Sequence, residues 1–186
     1  MKKLFYLSLF LFISITSKAG KISVINDSIS CLRNQDTISV SMDYSEAIFN
    51  PKKVKKDENG QELSSPIVKG DNFNTYLKIC RRVTNWERES MEYFCEWFND
   101  ELTSLTACVE NNNAKYEIVV KIKEVYKDGN IKAMILLKER KTNKLIEMFD
   151  FKSSDGDAKD KIALRDPMKD TGKTVGKTIK KLLNLQ

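Results

Sequence analysis

Histidine is absent from the 186 residues, so proton transfer near neutral pH would fall to carboxylates, lysine, tyrosine or cysteine. The same absence excludes histidine-bearing metal sites and catalytic triads. Asp43, Glu96 and Asp150 are candidate acids for a carboxylate-dependent hydrolase acting on envelope polysaccharide or peptide. Such chemistry needs two carboxyl groups about 5–9.5 Å apart, and their spacing in the chain does not pair them. Gly172-Lys173-Thr174 and Gly176-Lys177-Thr178 invite a phosphate-loop reading. The required glycine five residues earlier is replaced by Pro167 and Thr171, so the repeat is assigned to the first turns of a last helix, where small residues allow close packing. Asp155-Gly156-Asp157-Ala158-Lys159-Asp160 resembles half a calcium loop, but Lys159 intrudes and no glutamate closes it, so it is read as a solvated loop. The sequence therefore assigns no catalytic, cofactor-binding or metal-binding residue, and no cofactor.

Four cysteines, Cys31, Cys80, Cys95 and Cys108, permit three full disulfide pairings, and spacing does not choose among them. No Cys-x-x-Cys occurs, which disfavours a thioredoxin-like site. Lys52, Lys53, Lys55 and Lys56 form the densest basic run after the N-terminal segment, diluted at once by Asp57 and Glu58. No interleaved aromatics accompany it, and a nucleic-acid partner is not expected.

The elements that must position these residues begin after a leader. Met1-Lys2-Lys3 is basic, Leu4 to Ile15 carries no charge, and Ser17 and Ala19 place small residues before a cut at Gly20. This is the pattern of a cleavable signal peptide over residues 1–19. The apolar run is shorter than the about 20 residues a spanning helix needs. Cys31 lies too far past the cut to carry a lipid. Export to the periplasm or beyond is the expectation, with no transmembrane segment after cleavage. Removing Lys2, Lys3 and Lys18 lowers the net charge from +6 to +3, which weakens any polyanion reading.

An N-terminal arm is expected over 20–36, with an edge strand near Ile22 to Ile25, and a single α/β domain over 37–186. Ile38, Val40, Met42 and Tyr44 alternate with polar residues, the period of a half-buried strand. Residues 51–71 form a loop, and Phe73, Tyr76, Leu77 and Cys80 fit a short helix. A stronger helix is predicted over 85–104, capped by the Asn85 side chain, with Met91, Phe94, Phe98, Leu102 and Leu105 on its core face. Trp86, Tyr93 and Trp97 broaden that face, and Glu87, Glu89, Glu92 and Glu96 face water. A small-ligand or lipid carrier using these aromatics is a further alternative. A short strand at 106–109 precedes a three-stranded meander at 116–123, 131–137 and 145–151, the last with Leu145, Phe149 and Phe151 on one face. Turns fall at Lys127–Asn130 and Arg140–Lys144. The final helix is predicted over 171–185. The fold class is α/β of the α+β type, a small mostly antiparallel sheet with helices packed on one face.

Met42-Asp43-Tyr44-Ser45, Trp86 through Phe94-Cys95-Glu96-Trp97-Phe98-Asn99, Ala114 to Lys121 and Thr142-Asn143-Lys144-Leu145 resemble a family of small secreted Bacteroidetes α/β proteins without an established activity. The architecture is also similar to TolB N-terminal and curli-secretion-like envelope domains. That resemblance implies an assembly or contact role. Asp27-Ser28-Ile29 and Asp36-Thr37-Ile38 resemble a short Bacteroidetes O-glycosylation signal, implying modification at Ser28 or Thr37. The expected function is a non-catalytic exported domain that binds an envelope protein or surface component, through a meander edge or the 50–71 loop.

Overall fold

The computed structural model describes residues 21–24, 29–50, 73, 85–126, 129–153 and 164–184; of 21–24 and Asn50 only the backbone is described. Strand β1 (Lys21–Val24) is followed by a single 3-10 turn, Ile29–Leu32, and by β2 (Thr37–Asp43) and β3 (Ile48–Asn50). Helix α1 (Trp86–Glu101) leads to β4 (Thr106–Val109), β5 (Tyr116–Tyr126), β6 (Ile131–Glu139), β7 (Lys144–Lys152) and helix α2 (Arg165–Leu182). The class is the α/β arrangement expected: among the described residues, one multi-stranded sheet with helices α1 and α2 packed against it. Its seven strands run β1-β7-β6-β5-β2-β4, with β3 pairing β5 beyond the end of β2.

Alternation explains the meander. Ile118, Val120 and Ile122 of β5, Ala133, Ile135 and Leu137 of β6, and Phe149 and Phe151 of β7 all bury on the helix side. Gly129 adopts φ 82° and Asn143 φ 54° in the two turns, left-handed values that glycine and asparagine tolerate. The N-terminal half is different. β2 lies parallel to both β4 and β5, and β3 is also parallel to β5. The meander does not stand alone: β2 and β3 cover β5, and β1 pairs antiparallel with Phe149–Lys152, the last four residues of β7.

Three local expectations need correction. Leu145 does not share a face with Phe149 and Phe151. Lys138 pairs with Leu145 while Leu137 pairs with Glu147, so an extra residue sits in β7 and inverts the alternation. Leu145 is consequently 47% exposed, whereas Glu147 is buried and its Oε1 accepts the Met148 N–H. Asn85 does not cap α1 through its side chain; it takes a left-handed φ of 87°, and its carbonyl accepts the Glu89 N–H. Helix α2 begins six residues earlier than predicted, at Arg165. Pro167 falls in its first turn, where a missing N–H breaks no intrahelical bond, so the proline does not delay the helix. The two Gly-Lys-Thr triplets thus lie in the middle of α2 rather than at its start. The short helix expected over 73–80 lies outside the described residues except at Phe73, which is helical, fully buried, and donates its N–H to the Ala47 carbonyl.

The glycines set the helix spacing. A Cβ on Gly172 would stand 2.2 Å from the Phe94 carbonyl oxygen, and one on Gly176 3.0 Å from that of Phe98. Arg165 lies over the Tyr93 ring at 4.4 Å, Lys169 over Trp97 at 3.9 Å, and Lys177 meets Glu101 at 3.5 Å. Partner numbers rise together along both helices, so α1 and α2 run parallel. Buried hydroxyls are satisfied inside the helices: Thr171 donates to the Pro167 carbonyl, Thr178 to that of Thr174, and Ser90 to that of Trp86.

Helix α1 also closes one edge of the sheet. The Asn99 side chain donates Nδ2–H to the Ala107 carbonyl at 3.1 Å and accepts the Ala107 N–H at 2.7 Å. Both groups point away from β2, so the amide takes the place of a neighbouring strand on the outer edge of β4. A covered edge cannot template pairing with another chain at that residue.

Candidate functional site

The strands present their second set of side chains on the face turned away from the helices. Register carries one row across four strands, Ser41, Val119, Leu136 and Met148. The next row is Asp43, Lys121, Met134 and Asp150. Leu136 is 9% exposed, and Val119, Met134 and Met148 are half-buried. Charged groups border these apolar residues. Lys121 bonds Glu46 at 2.9 Å and lies 3.8 Å from Asp43, and Lys123 lies 3.9 Å from Glu46. Lys132 pairs with Glu124 at 2.6 Å.

The Ser45 hydroxyl and N–H both donate to Asp43 Oδ1, at 2.7 and 3.0 Å. The hydroxyl bond is the chief reason the Asp43 carboxyl titrates below its usual 3.8; partial burial opposes it, and Lys121 and Lys123 assist. Lys121 lowers Glu46 in turn, by hydrogen bond and by charge. A depressed folded pKa contributes stability that is present above the unfolded value and lost as pH falls through the folded one. Replacing Ser45 by Ala is expected to move the Asp43 titration midpoint upward, and acid destabilisation to begin at higher pH. Carboxyl-resolved NMR titration of both proteins checks this.

The three candidate acids are not brought together. Asp43 and Asp150 share a row but lie three strand intervals apart, about 14 Å at the usual strand spacing. That exceeds the separation either glycosidase geometry uses. Glu96 is exposed on α1, on the other side of the sheet. Among the described residues no cluster of three or more His, Cys, Asp or Glu could hold a metal.

The aromatic face of α1 is filled by core. Phe94 and Phe98 are fully buried and stacked with centroids 6.0 Å apart, and Met91, Leu102 and Leu105 join the same cluster. Trp86 packs edge-on to Tyr44 and Phe73, at 5.1 and 5.8 Å. Tyr44 donates its hydroxyl to Glu87; burial first, and this bond second, push its pKa up to about 12. Tyr93 and Trp97, half-buried, lie under the cations of α2 rather than against the sheet. Cys31, Cys95 and Cys108 are free thiols. Burial, with Cys108 and Glu92 adding, pushes Cys95 up to about 12, which leaves it an unreactive thiol. A half-open depression of about 440 Å³ is lined by Leu32, Arg33, Ser104, Leu183 and Asn184.

Cys80, Lys52 to Lys56, the 155–160 segment and Ser28 lie outside the described residues. Thr37 begins β2 and is half-buried. Alternation within each strand turns Met134, Leu136 and Met148 outward, but it cannot align them with Val119 and Ser41, because their row depends on register between strands.

No protein-family model matches the chain, and no curated protein matches its sequence. Solved structures do resemble it in fold. The PelC dodecamer from Paraburkholderia phytofirmans matches with a TM-score of 0.42 at 6% identity, over 90% of this chain and 99% of that one. An uncharacterised protein matches at 0.43 and 12% identity, over 78% of this chain and 92% of that one. Protein XCC0632 from Xanthomonas campestris, assigned to DUF330, matches at 0.33 and 10% identity, over 81% and 86%. The expected likeness to TolB N-terminal and curli-secretion-like domains is not borne out: the solved structures that match are PelC, an uncharacterised protein and a DUF330 protein, and the expected Bacteroidetes family has no support. The likeness concerns fold alone. No helix among the described residues is long and apolar enough to cross a membrane.

Proposed function

We propose that this chain is an exported, non-catalytic domain that binds an envelope protein or surface component through the sheet face opposite its helices. The observation that carries the reading is the row Val119, Leu136 and Met148, with Met134 beside it, bordered by the ion pairs of Lys121, Glu46, Lys123 and Asp43. An apolar centre with a charged rim is the anatomy of protein interfaces. Export rests on the basic, apolar and small-residue succession of residues 1–19.

The test is capture from native envelope extract on the immobilised protein, beside a Val119→Lys, Met148→Lys variant. Both positions are half-buried and can carry a lysine toward solvent. The wild type is expected to retain a saturable envelope component that the variant loses. Recovery of none, or equal recovery by the variant, rejects the face.

A further inference from the structure

The outer surface of the helical layer is divided by charge. Helix α1 carries six carboxylates against one arginine, Arg88, for a net −5. Helix α2 carries six cations against two aspartates, for a net +4. Burial sorts these charges onto the side facing away from the sheet. Glu92, Glu96 and Asp100 are exposed along α1; Lys177 and Lys181 are exposed and Lys169, Lys173 and Lys180 half-buried along α2. The seam between the helices is held by Arg165 over Tyr93, Lys169 and Lys173 over Trp97, and Lys177 beside Glu101. Because the helices are parallel and tightly packed, an acidic ridge and a basic ridge run side by side along the molecule.

Such a surface is complementary to itself under one particular rotation. A two-fold axis lying along the helix direction turns the layer over and exchanges left for right, which sets α2 of one copy above α1 of the other. A two-fold axis across the helices would instead set acidic ridge on acidic ridge. We propose that two copies of this chain associate face to face through their helical layers about the first of these axes, each acidic ridge against the other copy's basic ridge. The contact is isologous, so every ridge pairing occurs twice. It leaves the opposite sheet face free, and it stands whether or not that face binds a partner.

Attraction between exposed charges is screened within about 10 Å at 0.1 M salt, so the association must weaken as salt rises. Sedimentation of the purified protein is expected to give a dimer at about 20 mM salt and a monomer at about 1 M. A Glu92→Lys, Glu96→Lys, Asp100→Lys variant and a Lys173→Glu, Lys177→Glu, Lys181→Glu variant should each be monomeric at low salt. Circular dichroism establishes that both remain folded; a reversal that unfolds is replaced by its neutral counterpart, glutamine at the same positions, with the same expected loss of dimer. Mixing the two reversed variants restores both ridge pairings with opposite signs, and a heterodimer is expected. A wild type monomeric at low salt, variants that still dimerise, or a mixture of folded reversed variants that stays monomeric each overturns the proposal.

Discussion

Replacing Gly172 by Ala is expected to cost about 3 kcal/mol of folding stability, and to lower the melting temperature by about 6–12 °C for a chain of this size. The added methyl would sit 2.2 Å from the Phe94 carbonyl oxygen and 3.0 Å from both the Phe94 carbonyl carbon and Cα. These are backbone atoms of a helix whose other side is fixed in the core, so no rotamer change relieves the contact. The helices must separate, and the contacts of the seam loosen with them. Alanine's better helix propensity returns about 1 kcal/mol, too little to reverse the sign. Gly176→Ala is the internal control. Its methyl would meet the Phe98 oxygen at 3.0 Å and the Glu101 Cβ at 3.1 Å, and a shift of a few tenths of an ångström accommodates it. Urea unfolding of both should rank Gly172→Ala well below Gly176→Ala. Truncating the Phe94 side chain should not rescue the former, because the collision is with the main chain.

Phe98→Ala is expected to cost about 3–5 kcal/mol, the range for emptying a fully buried aromatic site. Phe98 has no exposed surface, stacks on Phe94, and lies within a core that joins both helices to the sheet. Phe98→Leu keeps most of the volume and should cost less than half as much. Chemical denaturation measures both. Equal losses for the two would mean the site collapses freely around the smaller side chain.

The parts legible in the sequence were those whose signal is local. Period-two alternation placed β2 and the meander, and the three-and-four spacing of Met91, Phe94 and Phe98 placed α1 and its buried side. Close packing at the paired glycines followed from their size, although Pro167 concealed the first turn of α2. What the sequence hid depends on relations between elements. The extra residue in β7 reversed the facing of Leu145 without changing local composition. Strand β3, three residues long, has too few positions to show a period. The parallel partners of β2 lie far along the chain, and the Asn99 clamp on Ala107 needs the helix and strand already in place. The candidate face was half legible: its outward apolar residues could be named, but not their common row. Nor could Asp43 and Asp150 be seen to stand too far apart for joint catalysis.

The pairing of the first strands has a consequence for the order in which the molecule can form. Thr37 finds Thr106, Ser39 finds Glu117, and Lys21 finds Lys152, the last residue of the sheet. Everything made early by the ribosome waits for something made late. Contacts of such long sequence separation are slow to close, while the β5-β6-β7 hairpins need only their own turns. The C-terminal meander is thus the natural template, and β1 and β2 dock onto it. Until Lys152 has emerged β1 lacks its partner, and a truncated chain ending after β4 would hold β2 paired on one side only and β1 and β3 unpaired, open to aggregation. A chain with this wiring completes its sheet only after its last strand has been made.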